Sequence, residues 1–404
     1  YMKYAIYTIN LFIIICVSCL MSILGINMAE MDNSPLMSIA YCVVGLFSII
    51  TTVFSLVKSG KFGGKEFFFI VLLPVLLYLD GLLEEYNGCE HSIWFLKFRL
   101  FVAVCTPSIC IACMLANERS FEKIVKWLDV VMLVITAGMI MILPQIKLGE
   151  GLWTMGGASY QSMSYSGAIA FGINIFFIIN HSKIVTLPFF NSKIFLSIRY
   201  VLLVIQLLCV IISGGRGGVL LLIANCFVSL LIYGKIRMVI LYLIVAVIFA
   251  STFDYIIQLF EFMDIFDKGL SRAFSYLSEG SIDMGNTSGR DQIYHIAISM
   301  IQDSPIVGHG LFASSIPFYG TSPHNFFLEL LIQGGILYFL SFFLIVLLPV
   351  YKKMKLFIKE SAENGAIIPI ALYPMVMLLF SGSYIVTPTF MFVVVFLILY
   401  KPVR

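Results

Sequence analysis

Two arginines and a histidine stand at the edges of polar segments in a chain that is otherwise strongly apolar. Arg216 lies in the run SGGRGG at 213–218, Arg290 ends the run SGR at 288–290, and His324 lies in the run SPHN at 322–325. An arginine fork binds phosphate through two parallel hydrogen bonds. A neutral imidazole takes a proton from a hydroxyl group. These residue types indicate phosphate binding combined with proton transfer.

Arg216 has the strongest sequence signal for anion binding. The glycines around it, among them Gly215 and Gly217, allow backbone N–H groups to approach an anion closely. A helix is predicted to begin at this point, which directs its positive end at the same position. The alternative is an arginine that extends its head group to the membrane surface from a glycine-rich turn.

Two further arginines are candidate phosphate ligands. Arg290 opens a predicted helix behind Ser288, and an exposed ion pair with Asp291 is its alternative role. Arg99 lies inside a predicted membrane span, where a charged side chain usually faces a polar cavity. Its alternative role is that of an anchor at the membrane surface, shared with Lys97.

His324 is the candidate general base. Ser322 is expected to cap the helix that follows, with Pro323 as the first helical residue. The neutral imidazole is favoured near the N terminus of a helix. The alternative is a histidine that only hydrogen-bonds the neighbouring loop. Secondary candidates in the same region are Asn325, Tyr294 and His309.

The remainder of the chain is expected to hold these residues in a membrane. The 404 residues are 60% hydrophobic and 12% charged, whereas a soluble protein carries roughly 25% charged residues. Apolar runs of about 20 residues recur along the sequence. We therefore predict an all-α polytopic membrane protein with about twelve transmembrane helices. The predicted spans are 4–24, 36–57, 67–79, 93–115, 127–143, 160–180, 197–212, 219–234, 237–253, 324–350, 366–382 and 386–400.

The distribution of basic residues predicts the orientation. If both termini are cytoplasmic, most of the 25 Lys and Arg residues fall in cytoplasmic segments, as the positive-inside rule requires. Segment 254–323, between the ninth and tenth helices, is then a long extracytoplasmic loop within a single transmembrane domain, 1–404. Two short helices are predicted in it. One is an amphipathic surface helix over 253–266, and the other follows Ser288 with an apolar stripe of Ile293, Ile296, Ala297, Met300 and Ile301.

Several other kinds of site are not indicated. Eight of the nine cysteines fall in apolar segments, so no disulfide framework is implied. The acidic residues Asp80, Glu84, Glu85 and Glu90 are expected in one outer loop and contain no Asp-x-Asp pair of the kind that holds a metal and a nucleotide sugar. Walker, Rossmann and H-E-x-x-H motifs are missing from the sequence. We expect no metal, no cofactor and no nucleic-acid partner.

The order and spacing of the motifs resemble those of the O-antigen polymerase and O-antigen ligase superfamily. The motifs are SGGRGG, SGR, SPIVGHG and PHNFFLELLIQGGILYFL, within about residues 205–345. The resemblance implies a GT-C-like, metal-independent glycosyltransferase of the bacterial plasma membrane, with a sugar chain on undecaprenyl pyrophosphate as donor. It also implies that Arg216 and Arg290 hold the pyrophosphate, that His324 deprotonates or orients the acceptor hydroxyl, and that Arg99 is an auxiliary contact.

Three functions remain open from the sequence. A polymerase transfers the glycan of O-antigen or capsule to another lipid-linked repeat unit, and the form PHNFFLELLIQGG favours it. A ligase transfers the glycan to the lipid A core. A flippase for the same lipid is expected to have two similar halves and ionisable residues near the midplane, whereas the polar residues here concentrate in one loop. The partners implied by the resemblance are the lipid-linked oligosaccharide, membrane lipid, a chain-length regulator and a flippase.

Overall fold

A computed structural model of the protein describes residues 2–26, 35–142, 160–184, 186–213, 215–233, 290–313 and 322–402. Within these ranges the chain is helical and contains no strand. The chain divides into two compact units. The first consists of Tyr1–Ile13, Pro35–Val125 and Met284–Arg404, and the second of Ile14–Ser34 and Lys126–Asp283.

The helices of the described ranges are named here in chain order. They are α1 (Met2–Leu11), α2 (Ile13–Ile23), α3 (Pro35–Lys58), α4 (Gly64–Tyr86), α5 (His91–Glu118), α6 (Leu128–Ile142), α7 (Tyr160–Ile179), α8 (Lys193–Ile212), α9 (Arg216–Tyr233), α10 (Arg290–Asp303), α11 (Phe326–Phe357), α12 (Ile367–Phe380) and α13 (Pro388–Leu399). Short helical turns lie at Glu122–Val125, Pro188–Asn191, Glu363–Ala366 and Tyr384–Val386. Helices α4, α5 and α11 each contain one π-helical segment, at Phe68–Leu72, Phe101–Cys105 and Phe342–Leu347.

The structure supports a polytopic membrane protein but does not confirm twelve spans. In the described part of the chain, eight helices are long and apolar enough to cross a bilayer, or nine if α1 and α2 form one span. The predicted first span is in fact broken at Phe12, with a bend of 99°. Helices α9 and α13 are shorter apolar helices. The predicted span 237–253 and the surface helix 253–266 lie outside the described residues.

Helix α4 differs most from its prediction. The sequence predicts a short span over 67–79 followed by an acidic outer loop, whereas the helix continues to Tyr86. Asp80, Glu84 and Glu85 are therefore helical residues, and only Glu90 lies beyond the helix end. The extension is possible because Asp80 and Glu84 each accept a backbone hydrogen bond from another part of the chain.

The first unit is built around the second half of α5. Residues 106–116 are all buried, because α1, α3 and α13 pack around them. Gly45 of α3 permits one close crossing, since a Cβ there would lie 2.8 Å from the carbonyl oxygen of Ala103. Asn10 of α1 donates to Ser108 Oγ at 3.2 Å. This core holds α5 in place, and with it the residues in the first half of that helix.

The second unit is built around α7, which packs against α6, α8 and α9. Small residues allow these helices to approach, as is usual in membranes. A Cβ at Gly172 would lie 2.5 Å from the Oδ1 atom of Asn225. Asn225 in turn donates to the carbonyl oxygen of Ala168 at 3.2 Å. The close packing of α7 and α9 thus determines where the N terminus of α9 lies within this unit.

A buried ion pair joins α6 and α8 inside the second unit. Arg199 Nη1 lies 2.7 Å from Asp129 Oδ1, and the two side chains are 1% and 0% exposed. The rings of Phe177 and Phe195 lie 4.8 Å from the guanidinium carbon, and Asn174 donates to the carbonyl oxygen of Arg199 at 2.8 Å. Each of these buried charges is stabilised by the other, because water cannot reach the pair and take the place of a missing partner.

We expect Arg199→Met to lower the free energy of unfolding by about 3–5 kcal/mol, since Asp129 would remain buried without its counter-charge. The measurement is thermal unfolding of the purified protein in detergent. Lys193→Met, at the exposed start of the same helix, is the matched control and should change stability by less than about 0.5 kcal/mol. Adding Asp129→Leu to Arg199→Met should restore most of the loss. Equal unfolding temperatures for the two single variants would contradict a role for this pair.

Candidate active site

Helix α11 is broken in its first half. Gly334 has φ −140° and ψ 19°, and Gly335 has φ 60° and ψ −162°, so neither residue has helical backbone angles. In a continuous helix, the N–H groups of Ile336 and Leu337 would donate to the carbonyl oxygens of Ile332 and Gln333. The break removes both bonds and leaves four backbone groups that need other partners.

The segment that follows α10 supplies all four partners. Ile336 N donates to Pro305 O at 2.9 Å, and Leu337 N donates to Ile306 O at 3.3 Å. In the other direction, the N–H groups of His309 and Gly310 donate to Ile332 O and Gln333 O, both at 2.9 Å. We call residues 305–310 the clasp. Each unpaired backbone group in hydrocarbon costs several kcal/mol, so the clasp and the break stabilise each other.

The glycines of the clasp are required by this contact. Gly308 has φ +69°, and a Cβ on it would lie 2.4 Å from the backbone nitrogen of Gly334. Gly310 has φ +108°, and a Cβ on it would lie 2.4 Å from Glu84 Oε1. Both positions combine a left-handed backbone with a close neighbour, which only glycine tolerates. The need for glycine at positions 308 and 310 is therefore explained by the close approach of the clasp to α11 and α4.

The chain beyond the clasp binds the acidic residues of α4. Leu311 N donates to Asp80 Oδ2 at 3.1 Å, and Phe312 N donates to Glu84 Oε1 at 2.6 Å. Four consecutive backbone N–H groups, from residue 309 to residue 312, are thus used to join α11 and α4. The acidic residues that the sequence places in an outer loop instead hold this segment against the helix.

Helix α10 packs along the first half of α11. Ala297 and Ile332 are fully buried against each other, and Ile293, Met300, Ile301 and Leu328 pack around them. The helix follows the apolar stripe predicted from the sequence, except that Ile296 is 38% exposed. Its proposed N-cap, Ser288, lies outside the described residues.

Arg290 and His324 stand at the same end of this helix pair. Helix α10 ends beside Ile336, because Pro305 binds that residue, and from there α10 packs back towards Leu328. The two helices therefore run side by side in one direction. Arg290 is the first residue of α10, and His324 precedes α11 by two residues.

His324 is not the helical residue that the sequence predicts. The N-cap of α11 is Asn325, whose Oδ1 accepts from Phe327 N at 3.0 Å and from Leu328 N at 3.2 Å. Ser322 therefore is not the cap, and Pro323 is not the first helical residue. His324 lies just outside the cap with φ 53°, a left-handed conformation that is rare for a residue other than glycine.

The turn between α12 and α13 contacts the chain around His324. Ser322 Oγ donates to Gly382 O at 2.5 Å, and Ser383 Oγ donates to Glu329 Oε1. The hydroxyl of Tyr384 donates to Gln333 Oε1 at 2.5 Å. Burial raises the pKa of Tyr384 well above its ordinary value, so this hydroxyl remains a donor.

Helix α5 contributes Lys97 to the same region, whereas Arg99 faces away. Lys97 is 7% exposed and interacts electrostatically with Glu84 and Glu329. Arg99 is exposed, and its guanidinium lies over the ring of Phe95 at 5.9 Å. Of the two alternatives for Arg99, this position favours the membrane-surface anchor. The buried cation of the helix is Lys97, which sequence reasoning considered only as an anchor.

The secondary candidates have structural contacts of their own. His309 is exposed, and its Nε2 lies 2.7 Å from the carbonyl oxygen of Met300. Asn325 acts as the cap of α11, and Tyr294 is half-buried on α10. Within the described ranges, no group of three or more His, Cys, Asp and Glu side chains has the arrangement of a metal site.

Arg216 belongs to the second unit, where it begins α9 and is half-buried. The adjacent glycines meet α7 closely. A Cβ at Gly217 would lie 1.8 Å from the hydroxyl of Tyr165, and one at Gly215 would lie 2.5 Å from the Cβ of Ser164. Ser164 also donates to Gly215 O at 2.8 Å. The glycines thus have a packing role that the sequence analysis did not consider, and their role in anion binding stays a prediction.

The part of the chain that the structure describes holds eight apolar helices of membrane-spanning length, which makes the protein an integral membrane protein. Residues 201–343 match the family model described as O-antigen ligase. This match confirms the resemblance to the O-antigen ligase and polymerase superfamily, whose members are glycosyltransferase-like enzymes that act on lipid-linked sugars. A comparison with curated proteins finds none that matches the chain.

The matched segment contains three of the predicted site residues, the clasp and the break in α11. The three residues are Arg216, Arg290 and His324. Sequence reasoning missed Lys97, Glu329, Ser383 and Tyr384. The signal for Glu329 and Gln333 is a pair of polar residues within an apolar helix, which usually marks a polar interior.

We expect Gly308→Ala to destabilise the protein by several kcal/mol, because its new methyl group would meet the backbone of Gly334. Gly60→Ala is the matched control: Gly60 has φ +65° but nothing within 4 Å of its Cβ position. In that control the free energy of unfolding should fall by only about 1–2 kcal/mol, which is the cost of a left-handed backbone for alanine. Unfolding in detergent measures both. If the two variants lose the same stability, the clasp does not depend on close contact at Gly308.

Proposed function

We propose that the protein is a polysaccharide repeat-unit polymerase with a GT-C-like fold. It transfers a glycan of O-antigen or capsule from undecaprenyl pyrophosphate to the sugar of another lipid-linked repeat unit. The family match over residues 201–343, which contains Arg216, Arg290 and His324 in the expected order, supports an enzyme of this superfamily. Within the superfamily, the sequence form PHNFFLELLIQGG favours a polymerase. The reaction takes place on the outer face of the bacterial plasma membrane.

In the proposed reaction, the acceptor hydroxyl oxygen forms a bond to the anomeric carbon of the donor sugar. The bond from that carbon to the pyrophosphate oxygen breaks, and the leaving group keeps the electron pair. The hydroxyl proton passes to the imidazole of His324, which releases it to water after the transfer. Atoms and charge balance without a further reactant.

Arg216 and Arg290 are proposed to bind the phosphates of the lipid pyrophosphate. Each is the first residue of a helix, of 18 and 14 residues. Backbone N–H groups and the helix dipole favour an anion at such a position. A guanidinium group adds two hydrogen bonds in a fixed geometry. These groups stabilise the charge that develops as the pyrophosphate departs, and Gly215 and Gly217 extend the Arg216 site.

The position of His324 supports its proposed role as the base. Its left-handed backbone angle is a strained conformation, and such strain is found at active sites more often than elsewhere. The residue directly precedes the N-cap of α11 and lies at the same end of the helix pair as Arg290. A base and a phosphate ligand at one end of the pair suit a transfer reaction. Asn325, Tyr294 and His309 remain secondary candidates for the site. The resemblance implies Arg99 as an auxiliary phosphate contact, but its exposed position over Phe95 fits the membrane-surface anchor better.

Ligation to a lipid A core is the second candidate function, because the family description names O-antigen ligase. In either case the proposed orientation places both termini in the cytoplasm and the loop 254–323 outside, within a single transmembrane domain. Membrane lipid, a chain-length regulator and a flippase are the proposed partners.

Incubation of the purified protein with a lipid-linked repeat unit separates the candidates. We expect a ladder of products on a gel, formed equally well in the presence of EDTA. Product only on a lipid A core acceptor would make the protein a ligase. Loss of activity in EDTA that added Mg²⁺ restores would contradict the metal-independent mechanism.

Arg216→Ala and Arg290→Ala are expected to abolish the ladder, and His324→Ala to lower turnover by at least about 10²-fold. The arginine variants lose the groups that stabilise charge in the transition state, and the His324 variant loses the proton acceptor. Turnover is measured with labelled repeat unit, at matched levels of folded protein.

Conservative variants of the two arginines and of His324 test the proposed roles more closely. Arg216→Lys and Arg290→Lys keep the charge but lose the fork, so they should retain partial activity. Lys58→Ala, at the exposed end of α3, is the control for loss of a basic residue and should leave the ladder unchanged. Long chains from either Ala variant would remove that arginine from the phosphate site, and near-normal turnover of His324→Gln would return His324 to a structural role.

A further inference from the structure

The backbone of His324 needs support from its surroundings. A φ of 53° is disfavoured by about 1–2 kcal/mol for a residue with a Cβ. Such a conformation persists only where neighbouring contacts over-determine it. Asn325 fixes the chain on one side by capping α11, but that cap does not hold the residues before His324.

One turn binds the chain on both sides of His324. Before it, Ser322 Oγ donates to Gly382 O at 2.5 Å. After it, Glu329 accepts from Ser383 Oγ. The next residue of the turn, Tyr384, donates to Gln333 at 2.5 Å and lies 3.0 Å from the hydroxyl of Tyr338. Three consecutive residues, 382–384, thus connect Ser322, which precedes His324, to Glu329 and Gln333 in the first turns of α11.

The bond between Ser383 and Glu329 is the central contact of this arrangement. Glu329 is 1% exposed and Ser383 is 3% exposed, so neither side chain is available to a substrate. A buried carboxylate requires donors and a counter-charge. Its donors are the hydroxyl of Ser383, the backbone N–H of Tyr384 and the more distant Gln333 amide, at 3.4 Å. Lys97 supplies the charge.

We propose that Ser383 and Glu329 are positioning residues that hold the imidazole of His324 in its working orientation. The turn 382–384 holds the segment 322–325 in place against α11. The hydrogen bond from Ser383 to Glu329 in turn holds that turn against α11. This inference rests on the proposed role of His324 as general base. The two residues act through His324 and make no contact with substrate.

The test is a double-mutant cycle between Ser383 and His324. Ser383→Ala should lower kcat by about 10-fold to 100-fold with an unchanged KM, because a small misplacement of a catalytic group has an effect of this size. In a His324→Ala background, Ser383→Ala should cause no further loss, since the group that it positions is already missing. Ser383→Thr, which keeps the hydroxyl, should restore most of kcat.

Two further variants separate positioning from folding. Glu329→Gln keeps an acceptor for Ser383 and should retain more activity than Glu329→Ala. Thr389→Val removes a buried hydroxyl without a hydrogen-bond partner in the described part of the chain and should leave kcat unchanged.

The outcomes distinguish this inference from the proposed function. Normal turnover of His324→Ala would overturn the role of His324 as general base, and this inference with it, but would leave the proposed transfer reaction standing. A defective His324→Ala together with a normal kcat for Ser383→Ala would overturn the inference alone. An equal fold-loss from Ser383→Ala in the two backgrounds would show a structural effect independent of His324, and would also overturn it.

Discussion

The hydrogen bonds between the break in α11 and the clasp are the interaction on which the first unit depends. Hydrocarbon offers no partners for backbone groups, so irregular backbone is tolerated there only when protein satisfies it. The break releases two N–H groups and two carbonyl groups, and the clasp returns two of each. Because both sides of the contact are backbone, it constrains the path of the chain more strongly than side-chain packing would.

Several other features follow from this contact. The end of α10 is fixed beside Ile336, so α10 has to run along the first half of α11 and bring Arg290 to the end where His324 stands. The same segment continues into Leu311 and Phe312, whose N–H groups bind Asp80 and Glu84. The clasp therefore connects α4, α10 and α11.

The sequence predicts well the features that depend on local pattern. Apolar runs locate the membrane helices, and the stripe of Ile293, Ala297, Met300 and Ile301 locates α10. The sequence does not predict well the features that depend on distant partners. Asp80 and Glu84 were expected in a loop, because carboxylates are costly within a helix in a membrane unless a partner binds them. That partner, at residues 311 and 312, lies more than 200 positions away.

The same reasoning explains the errors around the candidate site. A Ser-Pro pair before an apolar run is typical of a helix start, yet Asn325 caps α11 because the hydroxyl of Ser322 is used by Gly382. For Ser322, local sequence leaves two uses of the hydroxyl open, and a tertiary contact with Gly382 decides between them. The glycines around Arg216 predict an anion site, and the structure adds a packing role for Gly215, Gly217 and Gly218, because Ser164 and Tyr165 of α7 lie close to them.

The two units treat buried charge in different ways. In the second unit, Arg199 and Asp129 are in direct contact between aromatic rings, an arrangement in which each charge largely cancels the other. In the first unit, Lys97, Glu84 and Glu329 interact, but within the described residues no carboxylate oxygen lies within 4 Å of the Lys97 ammonium. Charges that are separated in this way keep part of their field, which is stronger in a medium of low polarity than in water. The proposed proton transfer would place one positive charge on His324, which belongs to the first unit. The separated charges and the proposed base therefore belong to the same unit, whereas the closed ion pair belongs to the other.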